Sequence, residues 1–220
     1  ELKFFKRGEP VKITRHLLPH WEQTGCACAI TFRLADSLPR HLLDAWEQER
    51  NVWLSHHPKP WTEEIEHEYH HRFSDRMHEW LDAGHGSCIL CDPHLAELVA
   101  TQIQGTQAGA RCTLWAFVVM PNPVHVLVSL EDGCPLPRLI RLWKGGSARK
   151  INLATGHSGG RWQTDYFDRL VRSPSHFERC LDYIRDNPIK AKLPVGAALW
   201  WENSEARAKL RDYLSKYGAL

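Results

Sequence analysis

The chain has 220 residues, 43% of them hydrophobic and 25% charged, which places it among globular proteins with enough apolar side chains to bury a core. Its formal charge of +2 is too small to establish a nucleic-acid partner by itself, and no apolar run approaches the roughly 20 residues that cross a bilayer. Seven irregularly spaced cysteines, an odd number, argue for a reducing compartment, and with no signal-peptide core the expected location is cytoplasmic and away from membranes.

In chain order, residues 1–22 mix Lys, Arg, Pro and Gly and read as an extended N-terminal arm. Cys26 to Leu34 alternates and predicts a first strand. A helix is expected over Arg40 to Leu54, entered near Pro39, with Leu42, Leu43, Trp46 and Val52 at helical spacing. After the prolines of 56–61, Thr62 caps a second helical run whose apolar face carries Tyr69, Phe73, Met77 and Trp80 before Gly84 and Gly86 end it. Pro93 to Gln104 predicts a third helix, with Leu95, Leu98, Val99 and Ile103 as its apolar stripe. Cys112 to Met120 and Val124 to Leu130 form a hairpin around Pro121 and Asn122. Leu136 to Leu153 is helical despite Gly145 and Gly146, Trp162 to Val171 is extended, and a last clear helix runs from Ser175 to Asp186 and stops before Pro188. This order predicts an α+β fold, an antiparallel sheet covered by helices. A single domain is expected, with a helical elaboration over 35–106, the core hairpin and last helix over 107–193 and a tail over 194–220.

Charge is distributed unevenly. Glu63, Glu64, Glu66 and Glu68 make one stretch acidic, while Arg138, Arg141, Lys144, Arg149, Lys150, Arg161, Arg169, Arg172, Arg179, Arg185, Lys190 and Lys192 make the later part basic. Such a region suits phosphate neutralisation, and equally a solvated surface. Trp162, Tyr166 and Phe167 interleave with Arg161, Arg169 and Arg172, a pattern that suits a single strand with stacked bases and paired phosphates.

Strand alternation puts Pro123, His125 and Leu127 on one face and Val124, Val126 and Val128 on the other. Tyr183 and Asn187, four apart, share one face of the last helix. A phenol can attack phosphorus once deprotonated, and an amide oxygen can ligate a cation. Taken singly, the histidine is as well read as a boundary residue and the tyrosine as a packing residue.

Read together, the segments VVMPNPVHVLV (118–128), GRWQTDYFDRLVR (160–172) and YIRDNPIKAKL (183–193) resemble, in order and spacing, the signatures of the REP-associated tyrosine transposases of the HUH superfamily. The likeness extends to LPHW (18–21), TFRLADSLP (31–39) and WLDAGHGSCIL (80–90). It implies a ferredoxin-like sheet, here with an inserted helical segment, and a DNA-strand-cleaving activity on single-stranded or hairpin DNA. Tyr183 then matches the nucleophile that forms a 5′-phosphotyrosine link, and His125 and Asn187 match ligands of Mg²⁺ or Mn²⁺. Pro123 stands where the family carries its first metal-binding histidine, and proline has no donor, so weakened metal binding and impaired cleavage are expected. Trp143 to Arg149 (WKGGSAR) also departs from the family, its glycines loosening a helix expected to face DNA; Lys144 and Arg149 remain candidate phosphate contacts. The DNA-contact set is Arg138, Arg141, Lys144, Arg149, Lys150, Arg161, Trp162, Arg169, Arg172 and Arg185.

Three alternatives stand beside this. Tyr166 is a rival nucleophile; the chain is a DNA-hairpin binder without catalysis; or His85, Cys88, Cys91 and His94 hold Zn²⁺ in an interaction domain, although the two cysteines read better as small buried hydrophobes. His67, His70, His71 and His78 fit a solvated helix face. No self-association stripe remains once the core is assigned, so a monomer is expected.

Overall fold

The computed structural model describes all residues except 1, 16–18, 38–39, 59, 77–85, 108, 110–111, 132 and 219–220. Pro39, Met77, His78, Trp80, Gly84 and His85, which figure in the expectations above, lie outside the described residues.

The strands are β1 (Lys12–Arg15), β2 (Pro19–Glu22), β3 (Ala27–Phe32), β4 (Cys112–Val119), β5 (Val124–Leu130), β6 (Phe167–Leu170) and β7 (Leu199–Glu202). The helices are α1 (Arg40–His56), α2 (Glu63–Tyr69), α3 (Pro93–Gly105), α4 (Leu136–Thr155), α5 (Pro174–Lys190) and α6 (Ala206–Tyr217). The last turn of α2 widens into a π-type turn at His70–Asp75. Five strands form one antiparallel sheet in the order β6-β3-β5-β4-β7. The first four of these positions, with α3 between β3 and β4 and α4 between β5 and β6, are a ferredoxin-like arrangement; β7 extends it beyond β4.

β5 lies at the centre of this sheet and is buried along its whole length, so it reads as an apolar run with one polar interruption that matters. Val124, Val126 and Val128 pack with Phe32, Leu139, Trp143 and Ile151 into the core beneath α3 and α4. Leu127 points the other way, into a second core built with Phe177, Leu181 and Ile184 of α5 and Ala206 and Leu210 of α6. Each fully buried Leu, Val or Phe of this kind contributes about 1.5–3 kcal/mol of transfer free energy, so both layers are held independently to the sheet. The π-turn segment packs on α1, with Phe73 and Trp53 both buried and their rings 5.7 Å apart.

α5 begins with Ser173 as its N-cap, accepting a hydrogen bond from the His176 N–H at 3.1 Å, with Pro174 in the first turn where its missing N–H costs nothing. It does not stop before Pro188. Proline removes a single backbone donor, and here it does so in the final turn, where the Ala191 N–H still reaches the Asn187 carbonyl at 2.9 Å. Asn187 is thereby kept helical.

The ends of the chain are more ordered than their composition implies. Leu2 and Phe4 insert into the second core, the Phe5 N–H reaches the Val171 carbonyl, and Gln23 holds the Lys6 backbone from both sides. At the other end, the segment read as a tail contributes β7, whose Trp201 stacks on Phe117 at 5.6 Å, and α6. α4 runs unbroken through Gly145 and Gly146; Gly146 is where the Gln102 side chain of α3 crosses, donating to the Leu142 carbonyl at 3.1 Å. The helix is therefore seated by its glycine, not loosened by it.

Candidate functional site

His125 leaves β5 on the face that α5 covers, and Tyr183 comes down from α5 to meet it with ring centroids 5.2 Å apart, edge to face. Thr31 is the direct cross-strand partner of His125, and its Oγ1 lies 2.8 Å from the imidazole Nδ1. His125 is only 5% exposed, whereas Tyr183 is 41% exposed. Burial, and after it the neighbouring Arg33 guanidinium, pushes the imidazole pKa down to about 3. At neutral pH the ring is thus uncharged, and too weakly basic to take the phenol proton.

These side chains line a cleft of about 650 Å³ whose charge is positive. Arg33, Arg169 and Arg179 line it together with His176, Thr31, His125 and Tyr183. Burial, followed by the charges of Arg169, Arg179 and Arg172, lowers the pKa of His176, whose Nδ1 accepts the Arg172 N–H at 3.2 Å. The capped N-terminus of α5 adds its own partial positive charge to that end of the cleft. Asp168 also lines the cleft, but its carboxylate is engaged by His20 Nδ1 at 2.5 Å and by the Trp21 N–H at 3.1 Å. Lys190 sits 5.7 Å from the centre of the Tyr183 ring.

Asn187 lies one turn beyond Tyr183 and outside the lining of this cleft; its Nδ2 is buried with no hydrogen-bond partner. Pro123 is buried, in a cis peptide with Asn122, and also outside that lining. The rival Tyr166 is 7% exposed and stacked on His20 at 4.0 Å. Burial and then the carboxylates of Asp168 and Asp165 push its phenol well above the ordinary value, so it is a poor nucleophile.

The expected DNA contacts separate. Arg138, Arg141 and Arg149 are exposed and Lys150 half-buried along α4, which covers the opposite face of the sheet from Tyr183. Lys144 does not project as expected: its Nζ donates to the carbonyls of Thr164 at 2.9 Å and Asp165 at 3.3 Å. Arg161 is bound to Asn152 Oδ1 at 2.6 Å and Thr155 Oγ1 at 2.7 Å. Trp162 is 8% exposed and donates to Ser147 Oγ at 3.0 Å, which makes it a core residue and not a stacking platform. Arg185 is paired with Asp182 and Asp186 on the outside of α5. Arg169 lines the tyrosine cleft, and with Arg172 it also lines a neighbouring groove of about 740 Å³ beside Lys6, Arg7 and Trp21.

Thr31, Arg33, His176 and Arg179 were not singled out as site residues by sequence reasoning. Thr31 and Arg33 alternate onto one face of the first strand segment, but only the register with β5 reveals that they face His125.

The groups that could hold a divalent ion beside Tyr183 are the His125 imidazole, the Asn187 amide oxygen and the Thr31 hydroxyl, all uncharged. Mg²⁺ and Mn²⁺ prefer carboxylate, carbonyl and water oxygens, and the carboxylate that lines the cleft is already bonded to His20. Among the described residues, no three His, Cys, Asp or Glu side chains gather at metal-binding spacing. With Arg33 buried in the same cleft, the residues present do not fit a divalent cation. Of the Cys/His quartet, Cys88 is half-buried while Cys91 and His94 are exposed; His85 lies outside the described residues.

Residues 89–187 match the family model described as "Transposase IS200 like". No curated protein matches the chain. Among solved structures, a REP-associated tyrosine transposase bound to a REP hairpin aligns at 14% identity and a TM-score of 0.44, over 80% of this chain and 74% of that one. A protein of Deinococcus radiodurans R1, assigned provisionally as a transposase, aligns at 14% identity and a TM-score of 0.34, over 88% of this chain and 92% of that one. The matched residues 89–187 run from the turn before α3 to Asn187, span the whole β4-β5 hairpin and include both His125 and Tyr183.

Proposed function

We propose that this chain cleaves and rejoins single-stranded DNA, with Tyr183 as the nucleophile, and that it takes the strand next to a hairpin. The observation that carries the proposal is the position of Tyr183: a partly exposed phenol over His125 in a cleft lined by Arg33, Arg169 and Arg179. Guanidinium groups suit the non-bridging oxygens of a phosphodiester, and the exposed phenol lies where such a phosphate would sit. Attack joins the Tyr183 oxygen to phosphorus and releases the 3′ oxygen of the preceding nucleotide. The 5′-phosphotyrosine bond conserves the energy for rejoining. Hairpin DNA as the preferred form follows from the sequence resemblance, and Pro123 removes a metal donor, so Mg²⁺ or Mn²⁺ contributes little to the reaction.

The test is adduct formation on labelled DNA carrying a hairpin and a single-stranded flank. Wild type and Tyr166→Phe give a covalent protein–DNA band, and Tyr183→Phe gives none. An adduct that survives Tyr183→Phe overturns the assignment. A second reading, a hairpin-binding protein without catalysis, is favoured by the neutral donor set around His125; tight hairpin binding with no adduct from wild type would establish it.

A further inference from the structure

We propose that the groove between the N-terminal arm and β6 is the track for the single-stranded flank of the DNA, with a base stacked on Trp21 and phosphates met by Lys6, Arg7 and Arg172. The inference rests on the function proposed above and deepens it, because this groove adjoins the tyrosine cleft. Asp168 and Arg169 line both recesses, the cleft of about 650 Å³ that holds Tyr183 and the groove of about 740 Å³ beside it. A strand whose scissile phosphate lies at Tyr183 therefore has a way out along β6.

The interleaved aromatic and basic residues of 161–172 suggest such a track, but the fold builds it with a different ring. Trp162 and Tyr166 are buried, whereas Arg169 and Arg172 are exposed at the groove, and the indole beside them comes from β2. In that strand His20 points inward, stacked on Tyr166 and bonded to Asp165 and Asp168, so the next residue, Trp21, is turned outward. Trp21 is 45% exposed, and its direct cross-strand partner Ile13 is 48% exposed. The Trp21 N–H donates to Asp168 Oδ2 at 3.1 Å, which ties β2 to β6 and fixes the base of the ring. The opposite wall is held as well, by the Phe5 N–H on the Val171 carbonyl and by Gln23 on the Lys6 backbone, so little order has to be gained on binding.

The charge of the groove is open to a ligand. Among the described residues, Arg7, Arg169 and Arg172 carry no ion pair, and Lys6 reaches only Glu9, at 3.8 Å with both side chains exposed, a pair that contributes little. Asp168 is the carboxylate in the lining, and its side chain is 3% exposed and engaged by His20 and the Trp21 N–H. Open cations around an exposed indole match a chain of phosphates with free base faces. A duplex keeps its base faces stacked on one another, and an acidic peptide brings charge without a base, so a single strand is the occupant that uses both features.

The experiment measures binding of the full chain to two labelled DNA hairpins, one blunt and one with single-stranded flanks on both ends, by fluorescence anisotropy. Wild type should prefer the flanked hairpin. Trp21→Ala should lower that preference by about 10-fold, Trp21→Phe should keep most of it, and Arg7→Gln should reduce the salt slope on the flanked hairpin alone. The ratio of the two affinities is insensitive to any fraction of unfolded protein. An unchanged ratio in Trp21→Ala, or no preference in wild type, overturns the inference and leaves cleavage by Tyr183 standing. A Trp21-dependent preference in a wild type that forms no covalent adduct supports the track and overturns the cleavage reaction instead. Wild type that binds neither hairpin overturns both.

Discussion

The buried neutral imidazole of His125 makes stability depend on pH in a calculable way. Its pKa falls from an ordinary 6.5 to about 3 on folding, with burial as the main cause and Arg33 as the second. Between these values the unfolded chain binds a proton that the native chain refuses, so the native state loses stability as pH drops below 6.5, and the loss stops growing only near 3. At about 1.4 kcal/mol per pH unit, moving from about pH 7.5 to about pH 5 costs about 2 kcal/mol through this one residue. In urea denaturation that corresponds to a midpoint lowered by about 1 M. Other groups titrate in the same range, so the measurement compares wild type with His125→Gln at both pH values. Wild type should lose about 2 kcal/mol more than the variant on acidification. Equal losses in the two proteins would show that the ring is protonated in the native state, against its burial beside Arg33.

Three further outcomes are expected. Gly145→Ala, whose added methyl meets open space, should stabilise the protein by about 1 kcal/mol, whereas Gly146→Ala should gain nothing because the methyl displaces the Gln102 amide; thermal or urea unfolding separates the two. Phe177→Ala, which empties a site between Trp115 and Phe4, should cost about 3–5 kcal/mol in the same assay. Arg179→Ala should weaken DNA binding and reduce the slope of log affinity against log salt by about 1, read by fluorescence anisotropy across a salt series, while Arg161→Ala should leave that slope unchanged because its guanidinium is held by Asn152 and Thr155.

Much of this molecule is legible along the chain because it depends on local periodicity. The alternation of Val124 to Leu130 assigns one set of side chains to each core, and the four-residue step from Tyr183 to Asn187 puts both on one helix face. Where local rules competed, they misled. Pro188 reads as a helix stop, but a proline in the last turn forfeits only one bond and α5 continues to Lys190. Gly145 and Gly146 read as a weak point, though one of them admits Gln102. The basic residues of the later half form one list in sequence and several environments in space: Arg138, Arg141 and Arg149 on the far layer, Arg161 and Lys144 tied to neighbouring chain, and Arg169 at the cleft.

Sequence by itself determined that a histidine-bearing strand and a tyrosine-bearing helix exist, and that a proline stands two residues before the histidine. Only tertiary structure decided that Tyr183 is exposed while Tyr166 is buried, that the imidazole is buried and neutral, and that Arg33 lines the same cleft. The physical reason is that side-chain direction follows from the backbone repeat of each element, whereas burial, charge environment and cross-strand partnership depend on register between segments 94 residues apart.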